Sequence, residues 1–353
     1  MDFILFTGRY NSLTAEEIKA RLPQAKSLYP SIYTFSAPSQ KKAISMVDYL
    51  GTSFKLAVKL DQTDLSPAKL ASLVEHKNFS FSSLKGDLPR EFNSEVKDNI
   101  SAPSRFIKSH HYSGLTPVIL QKKSVDEFFL DQDQKALYRT IWTHDYRQWI
   151  DKDRRLPFAD ARSGILPPKI ARSLINLTPY SGQPQDLTLL DPFCGSGRIL
   201  VEACQLGFRT LGSDIVQKKV DQSQANLKAL DLQAEVFLAD ATHVSKKVNQ
   251  SIDLIVTEPY LGKPNLRPDR VKYVVPGLKK LYLGALKDWH KILAPHGLVT
   301  IILPVFTQGE RQLTTSQVID DPHLSGYNIK TRGLIYSRPQ AKIKREIITL
   351  EKK

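Results

Sequence analysis

The chain has 353 residues and a mass of 39.9 kDa, enough for two or three domains at ~150 residues each. Its 41% apolar and 24% charged content is that of an ordinary globular protein, which excludes a disordered chain, a collagen and a coiled coil. Lys plus Arg is 50 against 36 for Asp plus Glu, a formal charge of +14, so a polyanion is the expected partner, nucleic acid before membrane. A solvated basic surface gives the same count. The longest apolar stretch, Leu298 to Phe306, is interrupted by Thr300 and Pro304 and is about half a membrane span. The first residues lack the basic-then-apolar pattern of a leader, so no signal peptide is expected. Two cysteines, Cys194 and Cys204, exclude a disulfide framework and a cysteine-based zinc site, and a cytoplasmic protein is expected.

In chain order, Phe3 to Phe6 reads as a strand ending at Gly8. Thr14 with Glu16 and Glu17 reads as an N-cap and acidic first turn of a helix reaching Arg21. Ser31 to Phe35 and Phe54 to Leu60 read as strands, and Lys41 to Leu50 as a helix stopped at Gly51. This β-α-β-α-β order predicts a small α+β segment over residues 1–60. Residues 61–150 are less regular. Helices are expected at Pro67 to His76 and Glu91 to Ile100, with strands at Phe79 to Leu84, Ser104 to Ser109 and Pro117 to Gln121. Trp142, Tyr146 and Trp149 read as one packed helix face. Residues 151–186, with Pro157, Gly164, Pro167 and Pro168, read as an ordered linker.

From Leu187 the pattern sharpens. Strands are expected at Leu187 to Leu190, Thr210 to Asp214, Ala234 to Leu238, Ile252 to Val256 and Leu298 to Leu303. Helices are expected at Ile199 to Leu206, Lys218 to Leu230 and Leu278 to Leu293, and a closing hairpin at Gly333 to Tyr336 and Ile343 to Leu350. Such alternation predicts a parallel, doubly wound α/β sheet, whose ligands bind at the carboxyl ends of its strands.

Asp191-Pro192-Phe193-Cys194-Gly195-Ser196-Gly197 falls between a strand and a helix. Its glycines let the backbone pass close to a ligand at the helix N-terminus. Asp214 ends the next strand, where an acid can accept both ribose hydroxyls of an adenosine. Asp240 ends the following one, within reach of an adenine amine. A Gly-Ser-Gly turn alone is a weak signal, and a structural turn with surface acids would explain it; three strand-end acids in series carry more. A nicotinamide-type turn needs a small residue three positions after the second glycine, and that position is Leu200. An acid ahead of the glycines suits a sulfonium ligand with an amino-acid tail, Asp191 binding its ammonium or positioning the turn.

Thr257-Glu258-Pro259-Tyr260-Leu261-Gly262 follows the fourth strand. A carboxylate, a proline carbonyl and a ring at that place suit methyl transfer to the exocyclic amine of a base. The amine lone pair is delocalised into the base, and acceptors on its N–H bonds draw it toward tetrahedral geometry. Glu258 is the first acceptor, a carbonyl of Glu258 or Pro259 the second, and Tyr260 stacks on the base. Pro259 as a strand terminator and Tyr260 as packing is the plain alternative.

The Asp191 to Gly197 stretch resembles motif I of class I S-adenosylmethionine-dependent methyltransferases. Its order before Glu258-Pro259-Tyr260 is similar to amino-methylating enzymes with a DPPY-type motif. Arg155-Leu156-Pro157, Gly164-Ile165-Leu166-Pro167-Pro168-Lys169-Ile170-Ala171 and Ile175-Asn176-Leu177 resemble the junction of THUMP-containing tRNA guanosine N2-methyltransferases of archaea and eukaryotes. Leu50 to Ala57 is similar to that family's GGTxKIA-type strand, and Leu334-Ile335-Tyr336-Ser337-Arg338-Pro339 to its final hairpin. The likeness is firm from about residue 154 and loose before it.

The resemblance implies a ferredoxin-like segment (1–60), a THUMP-like RNA-binding region (61–150), a linker with the LPPK motif (151–186) and a Rossmann-like class I methyltransferase domain (187–353). It implies S-adenosylmethionine as cofactor and N2-methylguanosine in tRNA as product, in the family typically at position ten. Cofactor contacts are then expected from Leu166, Pro167, Asp191, Phe193, Cys194, Gly195, Ser196, Gly197, Asp214 and Asp240, and catalysis from Glu258, Pro259 and Tyr260. Two departures stand out. Glu258-Pro259-Tyr260-Leu261 replaces the usual Asp-Pro-Pro-Tyr, and Arg198 follows the second glycine where a small residue is common, pointing away from the cofactor or touching RNA.

Lys263, Arg267, Arg270 and Lys272, with Lys279 and Lys280, follow the catalytic motif closely enough to hold phosphates beside an extruded base. Arg154 and Arg155 add to them from the linker, and a third run spans Lys330, Arg332, Arg338, Lys342, Lys344, Arg345, Lys352 and Lys353. Each run singly is explained as solvated surface. The expected partner is tRNA or another structured RNA, without a membrane and with allowance for an activator protein subunit. His110, His111, His144, His243, His290, His296 and His323 lack ligand spacing, so no metal is expected. Cys194 reads as a small packing residue, and Asp160 with Arg162 as closing the site or capping the linker. The rivals are a DNA amino-methyltransferase and a non-catalytic, cofactor-binding RNA-binding protein, with a dehydrogenase a distant third.

Overall fold

The computed structural model describes residues 1–8, 11–109, 113–159, 166–263, 266–308, 311–337, 341 and 343–353. Two compact units divide the chain: Met1–Thr14 with Leu22–Gln148, and Ala15–Arg21 with Trp149–Lys353.

Eight strands of the first unit form one sheet. They are β1 (Asp2–Thr7), β2 (Lys26–Tyr29), β3 (Ile32–Ser36), β4 (Ser53–Leu60), β5 (Asn78–Ser83), β6 (Arg105–Phe106), β7 (Val125–Asp131) and β8 (Ala136–Thr143), in the order β2-β3-β1-β4-β8-β7-β5-β6. Phe3, Ile4, Leu5 and Phe6 are all buried, because β1 is central and covered on both faces. The antiparallel β4–β8 ladder carries this sheet across the position near residue 60 where the sequence changes character. Lys55 on β4 is fully buried, yet its three donors are satisfied by Glu127, the Ser113 carbonyl (2.6 Å) and the Leu115 carbonyl (2.8 Å). Thr140 donates to the same carboxylate at 2.6 Å, so the pair is fully hydrogen-bonded.

Helix α1 (Asn11–Arg21) starts ahead of Thr14, whose hydroxyl donates to the Gly8 carbonyl instead of capping. Helix α2 (Gln40–Ser45) is shorter than expected and is capped by Ser39. Helix α3 (Pro67–Ala71) also stops early, because Asp126 of β7 takes the Glu75 and His76 N–H groups and bends the chain toward β5. Helix α4 (Phe92–Asp98) lies within its expected range. Pro117 to Gln121 is not a strand. It belongs to helix α5 (Pro117–Lys123), with Pro117 in the first turn and the Thr116 hydroxyl accepting from the Ile119 N–H. Trp142 lies on β8, whereas Tyr146 and Trp149 lie on α6 (Tyr146–Ile150), so the three share no helix face.

In the second unit a π-helical turn, Asp151–Arg155, follows α6. Then come α7 (Pro168–Leu177), β9 (Thr188–Asp191), α8 (Arg198–Leu206), β10 (Arg209–Asp214), α9 (Gln217–Lys228), β11 (Glu235–Leu238) and β12 (Ile252–Thr257). Helix α10 (Val271–Ile292) and strands β13 (Leu293–Gln308), β14 (Arg311–Thr314), β15 (Tyr327–Tyr336) and β16 (Ile343–Lys352) complete it. The sheet order is β11-β10-β9-β12-β13-β16-β15, with β14 on β13. Strands β9 to β13 are parallel, and β16 and β15 close the sheet antiparallel. The order reverses between β9 and β12, which opens a crevice at their carboxyl ends.

Helix α10 begins seven residues before the expected Leu278 and tolerates Pro276, because Val271, Leu278, Tyr282, Ala285, Leu286 and Trp289 form one buried face. Helix α7 lies inside the expected linker and is almost wholly buried. Its last carbonyls are capped by Arg21, which bonds the Asn176 carbonyl at 2.8 Å and stacks on Tyr180. Among the described residues no helix is long and apolar enough to cross a membrane.

Candidate active site

The crevice is built outward from the β9–α8 turn. Asp191 ends β9 and is buried; its Oδ1 accepts the Phe193 N–H at 3.1 Å and the Thr257 hydroxyl at 2.6 Å. Burial lifts its carboxyl from 3.8 to about 7 against those two hydrogen bonds, with repulsion from Asp214 and Glu258 adding to the rise. Gly195 and Gly197 are left-handed, with φ of +54° and +82°. A Cβ on Gly197 would meet Ser223 Oγ at 2.5 Å, whereas one on Gly195 would meet nothing nearer than 4.0 Å. Gly197 is therefore required by packing, and Gly195 keeps a cradle open at the N-terminus of α8.

Register staggers the strand-end acids. Asp191 pairs with Gly212, and Asp214 with Leu238. Asp214 accepts the Gly195 N–H at 3.1 Å and the Val216 N–H at 2.9 Å. Beside it Ile215, Val216 and Leu238 are exposed, an apolar rim suited to a flat ring. Asp240 turns inward on its own loop: the Thr242 N–H and hydroxyl both donate to its Oδ1 at 2.8 Å. Burial pushes that carboxyl up, but these bonds prevail and hold it below its ordinary value.

Glu258 directly follows β12. The Thr257–Asp191 bond ties its strand end to the glycine turn. Arg345 of β16 reaches Glu258, Nε to Oε1, at 2.5 Å. Pro259 is buried, and Tyr260 is 54% exposed. The Tyr260 carbonyl accepts the Tyr282 hydroxyl at 2.7 Å, which fixes the motif on α10.

Leu166 is buried and Pro167 half-buried, leading into α7, which packs on α8. Phe193 meets Trp289 edge-on at 6.3 Å. The carbonyl of buried Ser196 accepts from Asn226 at 2.8 Å. Cys194 packs with Leu200, Val201 and Val220, and burial pushes its thiol up, as fits packing and not nucleophilic chemistry. Arg198 points away from the crevice: it is buried, with its guanidinium on the Lys152 and Asp153 carbonyls.

Arg154 and Arg155 are exposed but lie 3.9 Å from Asp153 and 3.0 Å from Asp151. Lys263, Arg267, Arg270 and Lys272 are exposed, with Asp269 the acid beside Arg267 and Arg270. In the third basic run, four of the described cations have partners within the protein. Arg345 is buried on Glu258, Arg332 pairs with Asp320, Lys330 pairs with Glu351, and Lys352 caps the His290 and Leu293 carbonyls. Tyr273, unmarked in the sequence except by its neighbour Lys272, is 66% exposed with the Lys272 ammonium 5.0 Å from its ring. His110, His111, Asp160, Arg162, Gly164, Ile165, Arg338, Pro339 and Lys342 lie outside the described residues. A concavity of about 590 Å³ is lined by Thr210, Leu232 and Glu235 at the amino ends of β10 and β11, the edge away from these acids.

Residues 159–315 match the family model UPF0020, RMKL-like, methyltransferase domain. The chain is 34% identical over 144 residues to the tRNA (guanine(10)-N2)-dimethyltransferase of Methanothermobacter thermautotrophicus, covering 40% of this chain and 39% of that one. It is 32% identical over 155 residues to that of Pyrococcus abyssi, covering 43% and 42%. The chain thus spans about two fifths of the length of these curated relatives. TrmN from Thermus thermophilus shares the fold over all of both chains, with a TM-score of 0.57 at 16% identity. Residues 159–315 are therefore similar to an RMKL-like methyltransferase domain, and the fold is that of the Rossmann-like class I methyltransferases.

Proposed function

We propose that the chain is an S-adenosylmethionine-dependent RNA methyltransferase acting on the exocyclic N2 of a guanosine in tRNA. The observation that carries this reading is the Thr257–Asp191 hydrogen bond, which holds Glu258-Pro259-Tyr260 against the glycine turn. The guanine-10 activity in the names of the two relatives supports the same base and amine.

S-adenosylmethionine supplies an electrophilic methyl group. The residues present fit it: an open cradle at Gly195, a carboxylate at Asp214, an apolar rim at Ile215, Val216 and Leu238, and a buried acid at Asp191 for an ammonium. Phe193, Cys194, Ser196 and Gly197 complete the turn, Leu166 and Pro167 serve the methionine end, and Asp240 serves the adenine edge. Glu258 accepts a hydrogen bond from the guanine amine, draws the nitrogen toward tetrahedral geometry as the N–C bond forms, and takes the proton then released. A carboxylate has about four acceptor positions, so the Arg345 contact and an amine contact are compatible. Pro259 holds the turn, and the exposed Tyr260 ring stacks on the extruded base. Lys263, Arg267, Arg270 and Lys272 hold neighbouring phosphates, with Arg154 and Arg155 as weaker contacts because local acids already face them. The first unit, read as ferredoxin-like and THUMP-like, binds the body of the tRNA. A tRNA substrate and two free thiols, Cys194 and Cys204, suit the cytoplasm.

The test supplies methyl-labelled S-adenosylmethionine with separate pools of unmodified tRNA, ribosomal RNA and duplex DNA, followed by nucleoside mass spectrometry. N2-methylguanosine in tRNA alone is expected. Label on adenine or cytosine of DNA overturns the substrate. Glu258→Ala is expected to bind the cofactor with near-normal affinity and to transfer methyl groups at least about 100-fold more slowly. An unchanged rate removes Glu258 from the chemistry.

A further inference from the structure

We propose that Arg345 is a positioning residue for Glu258, and that the two side chains act as one unit in methyl transfer. This rests on the reading of Glu258 given above. Arg345 belongs to β16, two strands from β12 in the sheet, and is 87 positions from Glu258 in sequence. Its backbone is fixed from both sides, since it pairs with Pro304 of β13 and Tyr336 of β15. Side chains alternate along a strand. The next residue, Glu346, engages the Thr314 hydroxyl and the Gly333 N–H, while Arg345 reaches the end of β12. Both partners are largely withdrawn from water, with side chains 11% and 16% exposed.

Charge gives the pair its purpose. Asp191 lies buried nearby and is repelled by both Asp214 and Glu258, and the phenols of Tyr260 and Tyr282 also face this end of the sheet. None of these groups offsets a second carboxylate; Arg345 does. A guanidinium is a planar, permanently charged fork, so it fixes the direction of the carboxylate. Glutamate carries one more rotatable bond than aspartate, and the Arg345 contact removes that freedom. The extra methylene is also what lets the acid reach β16, so shortening it breaks the unit.

The experiment measures kcat, the KM for tRNA, cofactor affinity by titration calorimetry and the melting midpoint. The proteins are wild type, Arg345→Met, Arg345→Lys, Glu258→Asp, Glu258→Gln and Glu258→Gln/Arg345→Met. Arg345→Met and Glu258→Asp are each expected to lower kcat at least about tenfold, with KM and cofactor affinity within about twofold of wild type. Arg345→Lys should recover part of the rate. The double variant should match Glu258→Gln, because Arg345 has nothing left to position. If Arg345→Met does not fold, the double variant, which leaves neither charge buried, decides by the same comparison. A wild-type rate in Arg345→Met, or a further kcat loss in the double variant, overturns the proposal alone. A wild type that methylates no RNA overturns the functional reading and this proposal together.

Discussion

Asp191 shows how the burial of one residue couples folding to pH. Burial raises its folded carboxyl to about 7, above the ordinary 3.8. Between about pH 4 and 7 the folded protein therefore keeps a proton that the unfolded chain has lost. Stability falls as pH rises through that window and is flat above it. Asp191→Asn is expected to flatten this dependence, as read from urea midpoints across the window. An ammonium bound at Asp191 lowers the carboxyl again, so cofactor binding near pH 6.5 should release up to about one proton. Titration calorimetry in buffers of different ionisation enthalpy measures that release, and no release places the ammonium elsewhere. Asp191 and Asp214 are legible in the sequence because they end strands of clear periodicity. Asp240 is equally legible, but its engagement by Thr242 follows from a turn geometry that periodicity does not report.

Among the elements, α7 and α8 are joined by buried charge. Glu202 of α8 is 2.8 Å from Lys152 and 2.6 Å from Arg172, and the Lys152 ammonium lies 3.8 Å from the Trp149 ring centre. Burial lowers Lys152 to about 8, with Glu202 opposing and Arg172 assisting. Burial also lowers Lys169 to about 8, assisted by Lys152 and opposed by Glu17. Glu202→Gln leaves the cations without their shared acid and is expected to cost about 3–5 kcal/mol at neutral pH, measured by urea unfolding. For these lysines the folded value lies below the unfolded one, so the penalty of burying their charge is present below about pH 8 and is relieved as pH rises toward 10.5. Without Glu202, which holds the Lys152 value up, Lys152 loses its proton at a lower pH in the variant, so the Glu202→Gln deficit should shrink as pH rises toward about 8 and level off above it. This joint also ends the ambiguity over Arg198, whose guanidinium belongs to the same buried region and not to an RNA surface.

At the scale of the whole molecule, the +14 charge predicts RNA affinity that falls steeply with salt. Which cations contribute is less obvious than the count. Arg332, Lys330, Arg345 and Lys352 are committed to internal partners, whereas Lys263 and Lys272, which follow Glu258-Pro259-Tyr260 in sequence, are exposed. Lys272→Ala should weaken tRNA binding and reduce the slope of log affinity against log salt by about one. Tyr273→Ala should weaken binding by about 1–3 kcal/mol with the slope unchanged, as expected for a ring that stacks on a base. Fluorescence anisotropy over a salt series separates the two, and a Tyr273→Ala variant that binds as wild type removes Tyr273 from the RNA face.

The sequence by itself determined the strand-helix alternation of the second unit, the glycine turn and the Glu258-Pro259-Tyr260 motif at a strand end. These are local properties: periodicity and the left-handed demand of Gly195 and Gly197 are written within a few consecutive residues. In the first unit Thr116-Pro117 is also a local helix start, although the apolar residues after it read equally well as a strand. The tertiary structure alone decided that β4 joins β8, that Asp126 cuts α3 short, and that Arg345 meets Glu258 across two ladders. Charged side chains carry no address in the sequence. Their partners are chosen by strand order and register, which depend on burying the whole apolar face at once.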